Sequence, residues 1–283
     1  GGGTFYFRPQ NDVVLEEGNR YKYTVKVNAT GLTLEDCTIG DWADGGGEEG
    51  AAEDLGYIYD NTTNTYTVYN ADGLLAWAKA VQINLRVNCI LTADIDLTGR
   101  EWTQIGTDEN NSYNGIFDGN GKTITGLTIN QSEKYNVGLF GCLGSGGKVQ
   151  NLTLENVNIS GTYYVGSVVG TNFGTVSGCT ASGNITGTES CIGGVVGQNK
   201  GTVTGCTVSV NISNNQYAGG VVGENVGTVT ACHATGDVTG TEEAAGGVVG
   251  WNYYGTVTAC YHVIGDVTCP RWAGSCLLYT SPS

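Results

Sequence analysis

The 283-residue chain contains no Met, three Pro and two His, and only 14% of its residues are charged. The shortage of basic residues excludes the most. Twelve Lys and Arg stand against 27 Asp and Glu, for a formal net charge of −15. So acidic a surface repels phosphate backbones, and no nucleic-acid partner is expected. No uninterrupted apolar run approaches the ~18 residues that a membrane-spanning helix needs, so no transmembrane segment is expected. Gly is abundant at 47 residues, but with so little Pro and no G-X-Y period the collagen class is excluded. With 40% hydrophobic residues the chain is long enough to bury a core in one long domain or two, so disorder is a poor reading. The chain begins at Gly1 with no charged-then-apolar leader, so a secretion signal and any lipid anchor are expected upstream. At the other end Cys276 to Ser283 resembles a translated sequencing adapter, and 269–283 is read as a truncated end with an adapter-derived tail.

Internal repeats organise what remains. Four segments align: Val165 to Cys179, Ile192 to Cys206, Ala218 to Cys232 and Ala245 to Cys260, each built on Gly-x-Val-Val-Gly-x-Asn followed by Gly-Thr-Val. Their cysteines recur after 27, 26 and 28 residues. A diverged copy precedes them, with Val137 to Gly141 and then Lys148 to Leu152, where Leu152 takes the cysteine position.

Within a copy, Cys206-Thr-Val-Ser-Val-Asn-Ile212 alternates apolar and polar residues, the period of a half-buried strand. Cys206, Val208, Val210 and Ile212 should face inward, and Thr207, Ser209 and Asn211 outward. Gly-x-Val-Val-Gly and Gly-Thr-Val supply two further short strands. Short strands at a period near 27 residues predict coils of a parallel β-solenoid, stacked at about 4.8 Å with like residues over like. Roughly seven coils are expected from about Asn88 to Thr268. The last copy carries one extra residue after Cys260, where a bulge or a frayed end is expected.

Stacking turns the repeat into columns. Asn172, Asn199, Asn225 and Asn252 form one, in which amides can bond up and down the stack. Cys179, Cys206, Cys232 and Cys260 form another, read as small buried thiols, with a disulfide framework as the alternative. No CxxC pair or His cluster accompanies them, so neither a metal nor a cofactor is expected.

Upstream, Asn70 to Gln82 places Leu74, Leu75, Trp77, Ala78 and Val81 at helical spacing, with Asn70 or Asp72 as N-cap. A lone amphipathic helix before the first coil fits a cap on the open end of the solenoid. The boundaries read as 1–42, closing strands of a β-sandwich; 43–56, an acidic Gly-rich linker; 57–268, the capped solenoid; and 269–283, the tail.

The repeated segments resemble GLUG-motif repeats, and Ile116 to Ile129 is similar to the segment that precedes such repeats. Tyr21 to Trp42 resembles the end of a fimbrillin-like domain of Bacteroidetes surface lipoproteins. These resemblances imply an all-β chain with a right-handed parallel β-helix, a cell-surface or secreted location and a role in adhesion. Similar repeats also accompany proteases that cut host immunoglobulin. No catalytic residue carries over.

Parallel β-helices also host enzymes, so the carboxylates need weighing. Asp94 and Asp96 form the nearest pair for glycosidase chemistry but read better as outward positions on a strand or turn. Asp118, in Asp-Gly-Asn-Gly, is turn chemistry. Lys148 and Lys200 lie far from any acidic cluster, and His233 and His262 lack Asp or Ser partners. No catalytic constellation is found. Aromatics are the stronger signal. Trp251, Tyr253, Tyr254 and Tyr261 crowd the last copy, while Tyr163, Tyr164 and Phe173 recur at corners. The expectation is a non-enzymatic surface adhesin or stalk whose ligand edge meets a host glycan or a surface or matrix protein. The alternative is an accessory solenoid of a secreted enzyme that degrades polysaccharide or protein.

Overall fold

A computed structural model describes residues 21–28, 31–39, 55–214 and 216–274. At the start, β1 (Tyr21–Asn28) and β2 (Gly31–Ile39) form an antiparallel hairpin, with Tyr21 opposite Ile39 and a register shift between Thr24 and Val25. The rest of the expected 1–42 sandwich strands and most of the linker lie outside the described residues.

The solenoid opens with β3 (Tyr57–Asp60), which pairs antiparallel with β4 (Thr65–Val68). From β4 onward every pairing within the solenoid is parallel: β4 with β5 (Asn88–Leu91), β5 with Ile116–Thr125, and that strand with Lys148–Val165. Beyond it one strand position repeats on each coil, Thr175 over Thr202 over Thr228 over Thr256. The result is a β-solenoid of about eight turns. It begins one turn earlier than the expected start near Asn88, because Thr65 to Val68 carries no copy of the repeat. A second parallel sheet runs along it, built from Phe140–Leu143, Val169–Asn172, Val196–Asn199, Val222–Asn225 and Val249–Asn252.

The core follows the alternation in the sequence. Val149, Val176, Val203 and Val229 stack inside and are fully buried. Val208, Val210 and Ile212 are buried while Ser209 and Asn211 are exposed. Burying such apolar area at roughly 25 cal/mol per Å² is what holds successive coils together. Glycine permits one close approach: a Cβ on Gly197 would collide with the Tyr164–Val165 backbone, which brings the second sheet against the preceding corner.

Helix α1 (Ala71–Ile83) lies between β4 and β5, inside the first turn rather than ahead of it. Asn70 is its N-cap, accepting from the Gly73 N–H at 2.9 Å, and Asp72 in the first turn pairs with Arg100 at 2.8 Å. Leu74, Trp77, Ala78 and Val81 are buried, whereas Leu75 is only partly so. Trp77 meets Phe117 at 5.1 Å, Tyr113 at 6.0 Å and Phe140 at 6.1 Å between ring centroids. This aromatic cluster fills the first turns, and β3 covers the edge that β4 would otherwise expose. At the far end the stretch through Val263 and Ile264 accommodates the extra residue: Ala234 still pairs with His262 and Val238 with Val267, and the Val263 and Ile264 side chains are exposed.

Candidate functional site

The Asn column is a continuous hydrogen-bond ladder. The Asn172 amide donates to Asn199 Oδ1 at 2.8 Å, Asn199 to Asn225 at 2.8 Å, and Asn225 to Asn252 at 2.7 Å. Asn172 Oδ1 also accepts from the Gly174 N–H and Asn199 Oδ1 from the Gly201 N–H, so each amide closes its own corner. The Cys column consists of free thiols, buried at Cys179, Cys206 and Cys232 and half-buried at Cys260. The Cys206 N–H donates to Cys232 Sγ and the Cys232 N–H to Cys260 Sγ, both at 3.4 Å. Contact with the Cys179 sulfur, together with burial, pushes the Cys206 thiol up to about 12, and Cys206 acts likewise on Cys232. Such thiols stay protonated near neutrality and are poor nucleophiles.

The candidate aromatics divide between the two sheets. Trp251 stands in the second sheet, one coil above Glu224 and in register with it. Its ring contacts Tyr253 at 5.3 Å, and Tyr253 contacts Tyr254 edge-on at 4.5 Å. Tyr254 is 66% exposed and Tyr253 41%. Tyr261 does not join them; it stands on the other sheet, stacked on His233 at 5.2 Å with the rings 8° apart. Tyr163 stacks on Tyr135 at 5.1 Å, and Phe173 lies under the Lys200 ammonium at 4.9 Å.

Two aromatics that the sequence reading did not select complete the cluster. Tyr217 stacks on Trp251 at 4.9 Å with an interplanar angle of 23°. Trp272 lies two coils beyond Tyr217 in the same column, with Ala244 between them. Tyr217, Glu243, Ala244, Trp251 and Trp272 line a cleft of about 270 Å³. On this rim Arg271 donates to Glu243 at 2.8 Å. The signal that could have found them is the repeat itself: Tyr217 and Trp272 each immediately precede an Ala-Gly, in the position held by Cys191 and Ala244 in other copies.

Trp251 ends a buried column that runs from Cys142 through the polar Thr171, Gln198 and Glu224. Thr171 donates to Asn136 Oδ1 at 2.7 Å and Gln198 to Glu224 at 2.8 Å. In each case the partner or its neighbour comes from an adjacent coil, and at Trp251 stacking on Tyr217 takes the place of a hydrogen bond.

The carboxylates weighed for catalysis brace the backbone, Asp94 across coils and Asp96 and Asp118 at turns. Asp94 accepts from the Thr123 N–H at 2.9 Å and Asp96 from the Thr98 N–H at 2.8 Å. Hydrogen bonds from the Thr98 side chain and backbone hold the Asp96 carboxyl below its ordinary value. Asp118 is pulled up by partial burial, yet hydrogen bonds from Gln150, Asn120 and Asn151 outweigh this and leave it lowered. Among the described residues no group of three or more His, Cys, Asp or Glu is placed to hold a metal ion. No helix among them is long and apolar enough to cross a membrane.

These stacked columns define a parallel β-solenoid of repeated coils. Within the repeat region residues 161–186, 188–213 and 214–239 match the GLUG motif. Over 83 residues the chain is 45% identical to halomucin of Haloquadratum walsbyi, a match covering 29% of this chain and 1% of halomucin. Over 89 residues it is 39% identical to a provisionally assigned Gly-rich membrane protein of Evansella cellulosilytica, covering 30% of this chain and 10% of that protein. The chain therefore corresponds to a small part of either relative. A crystal structure of a Bacteroides ovatus protein, provisionally assigned as an immunoglobulin A1 protease, superposes with a TM-score of 0.62. It covers 77% of this chain and 79% of its own at 18% identity, which is a likeness of fold.

Proposed function

We propose that the protein is a non-enzymatic adhesin or rigid stalk at a bacterial cell surface, or secreted. On this reading the solenoid holds a ligand edge formed by Trp251, Tyr253 and Tyr254 away from its anchor. The observation that carries it is the contiguous strip of aromatic rings on the last coils, with Tyr253 and Tyr254 open to solvent. Exposed, clustered Trp and Tyr are typical anchors of recognition surfaces. The names of halomucin and of the Gly-rich membrane protein support a surface or secreted location, and the fimbrillin-like resemblance of Tyr21 to Trp42 supports a Bacteroidetes lipoprotein. The test is binding of the full chain to arrayed host glycans, mucins and matrix proteins. Saturable binding that falls on Trp251→Ala or Tyr254→Ala supports the adhesin; no binding to any target contradicts the ligand edge.

A second reading is an accessory solenoid of a secreted degradative enzyme. The fold shared with the Bacteroides ovatus protein favours it. Recovery of the complete reading frame separates the two, since a catalytic domain in the same polypeptide supports the accessory role and further repeats support the stalk.

A further inference from the structure

We infer that the cleft between Trp251 and Trp272 is a slot for a neutral glycan chain, an inference that rests on the ligand-edge reading and names its ligand class. Tyr217, Ala244 and Trp272 occupy one column on successive coils, in register. Two strand spacings, about 9.6 Å, separate the two aromatic positions, and the small Ala244 leaves the space between them open. Trp251 reaches in from the facing sheet, stacked on Tyr217, and the half-open cleft measures about 270 Å³. Trp272 is 52% exposed on its outer side.

Charge selects among ligands. Among the described residues lining the cleft Glu243 is the one carboxylate, and Arg271 pairs with it at 2.8 Å. An anion would approach against a chain charge of −15, and a cation would find no unmatched carboxylate at the cleft. An uncharged ligand meets neither obstacle. The electron-rich faces of Trp251 and Trp272 attract the C–H groups that neighbouring oxygens polarise on a sugar ring. The Glu243–Arg271 pair offers an acceptor and donors to the hydroxyls at the ring edge. The strip continues from Trp251 through Tyr253 to Tyr254, so the slot suits several linked sugars rather than one.

The test is titration of the full chain with soluble neutral oligosaccharides of several hexose units, followed by tryptophan fluorescence. Of the three other tryptophans Trp77 and Trp102 are buried elsewhere, and Trp251→Phe and Trp272→Phe assign the signal among all five. The expected result is saturable binding that added salt does not weaken. Trp251→Ala or Trp272→Ala should reduce affinity about tenfold or more, whereas Tyr261→Ala on the other sheet should not. Unchanged thermal melting of the exposed-site variant Trp272→Ala shows that any loss is not unfolding. Binding that survives both Trp→Ala changes, or binding only of anionic saccharides with strong salt dependence, overturns the inference. Array binding of a protein through Tyr253 and Tyr254, with every neutral oligosaccharide inert, overturns the glycan slot and leaves the ligand edge standing. Silence in both assays removes both.

Discussion

The Asn225 side-chain amide donates to Asn252 Oδ1 at 2.7 Å, one coil further along, while Asn225 Oδ1 accepts from Asn199 at 2.8 Å. All three side chains are buried, so no water replaces a missing member. The Asn172, Asn199 and Asn225 amides each have their shortest acceptor on the next coil, which couples the corner of one coil to the next.

Asn225→Ala should lower unfolding free energy by about 1–3 kcal/mol, because it strands the buried Asn252 Oδ1 above and removes the shortest acceptor of the Asn199 amide below. Asn252→Ala, at the last described rung, should cost less. Urea unfolding followed by circular dichroism measures both; equal and negligible effects would show that the ladder adds no stability.

The raised thiols give a pH dependence. Unfolded, these groups ionise near 9; folded, Cys206 and Cys232 hold their protons to about 12. The folded state binds protons more tightly, so this contribution is complete below pH 9 and is lost as pH rises toward 12. The double variant Cys206→Ala, Cys232→Ala should show a shallower alkaline decline in stability than the parent chain, and an identical decline contradicts the assignment.

Trp77→Ala should destabilise by about 3–5 kcal/mol, since a fully buried ring in contact with Phe117, Tyr113 and Phe140 leaves a cavity. Asn70→Ala removes the helix cap and should cost about 1 kcal/mol. Thermal melts of the two variants should show the larger loss for Trp77→Ala, whose whole ring is buried.

Thr207 and His233 are register partners, so deleting Thr207 to Cys232 joins Cys206 to an equivalent place one coil on. The shortened chain should remain folded and lose about 4.8 Å of length, visible in small-angle scattering. Complete unfolding would mean that the coil is not the stacking unit.

Much of this architecture was legible because the later coils repeat almost unchanged. The Cys and Asn columns, the inward alternation of Val208, Val210 and Ile212, the Asn70 cap and the extra residue after Cys260 all follow from period and local chemistry. The first turn was not, since β4 shares the stack without sharing the repeat's Gly and Asn positions. The aromatic site was half legible. Trp251, Tyr253 and Tyr254 are near in sequence, but Tyr217 and Trp272 reach the site through contact between a corner column and the facing sheet. Sequence proximity also misplaced Tyr261, which a turn of the coil carries to the other sheet.

The most direct measurement compares the full chain with two variants on one array of glycans, mucins and matrix proteins: Trp251→Ala, Tyr254→Ala together, and Tyr261→Ala alone. The expected result is saturable binding that the double variant loses and Tyr261→Ala keeps. Binding that the double variant retains, or that Tyr261→Ala abolishes while still folded, would place recognition elsewhere on the solenoid and contradict the proposed edge.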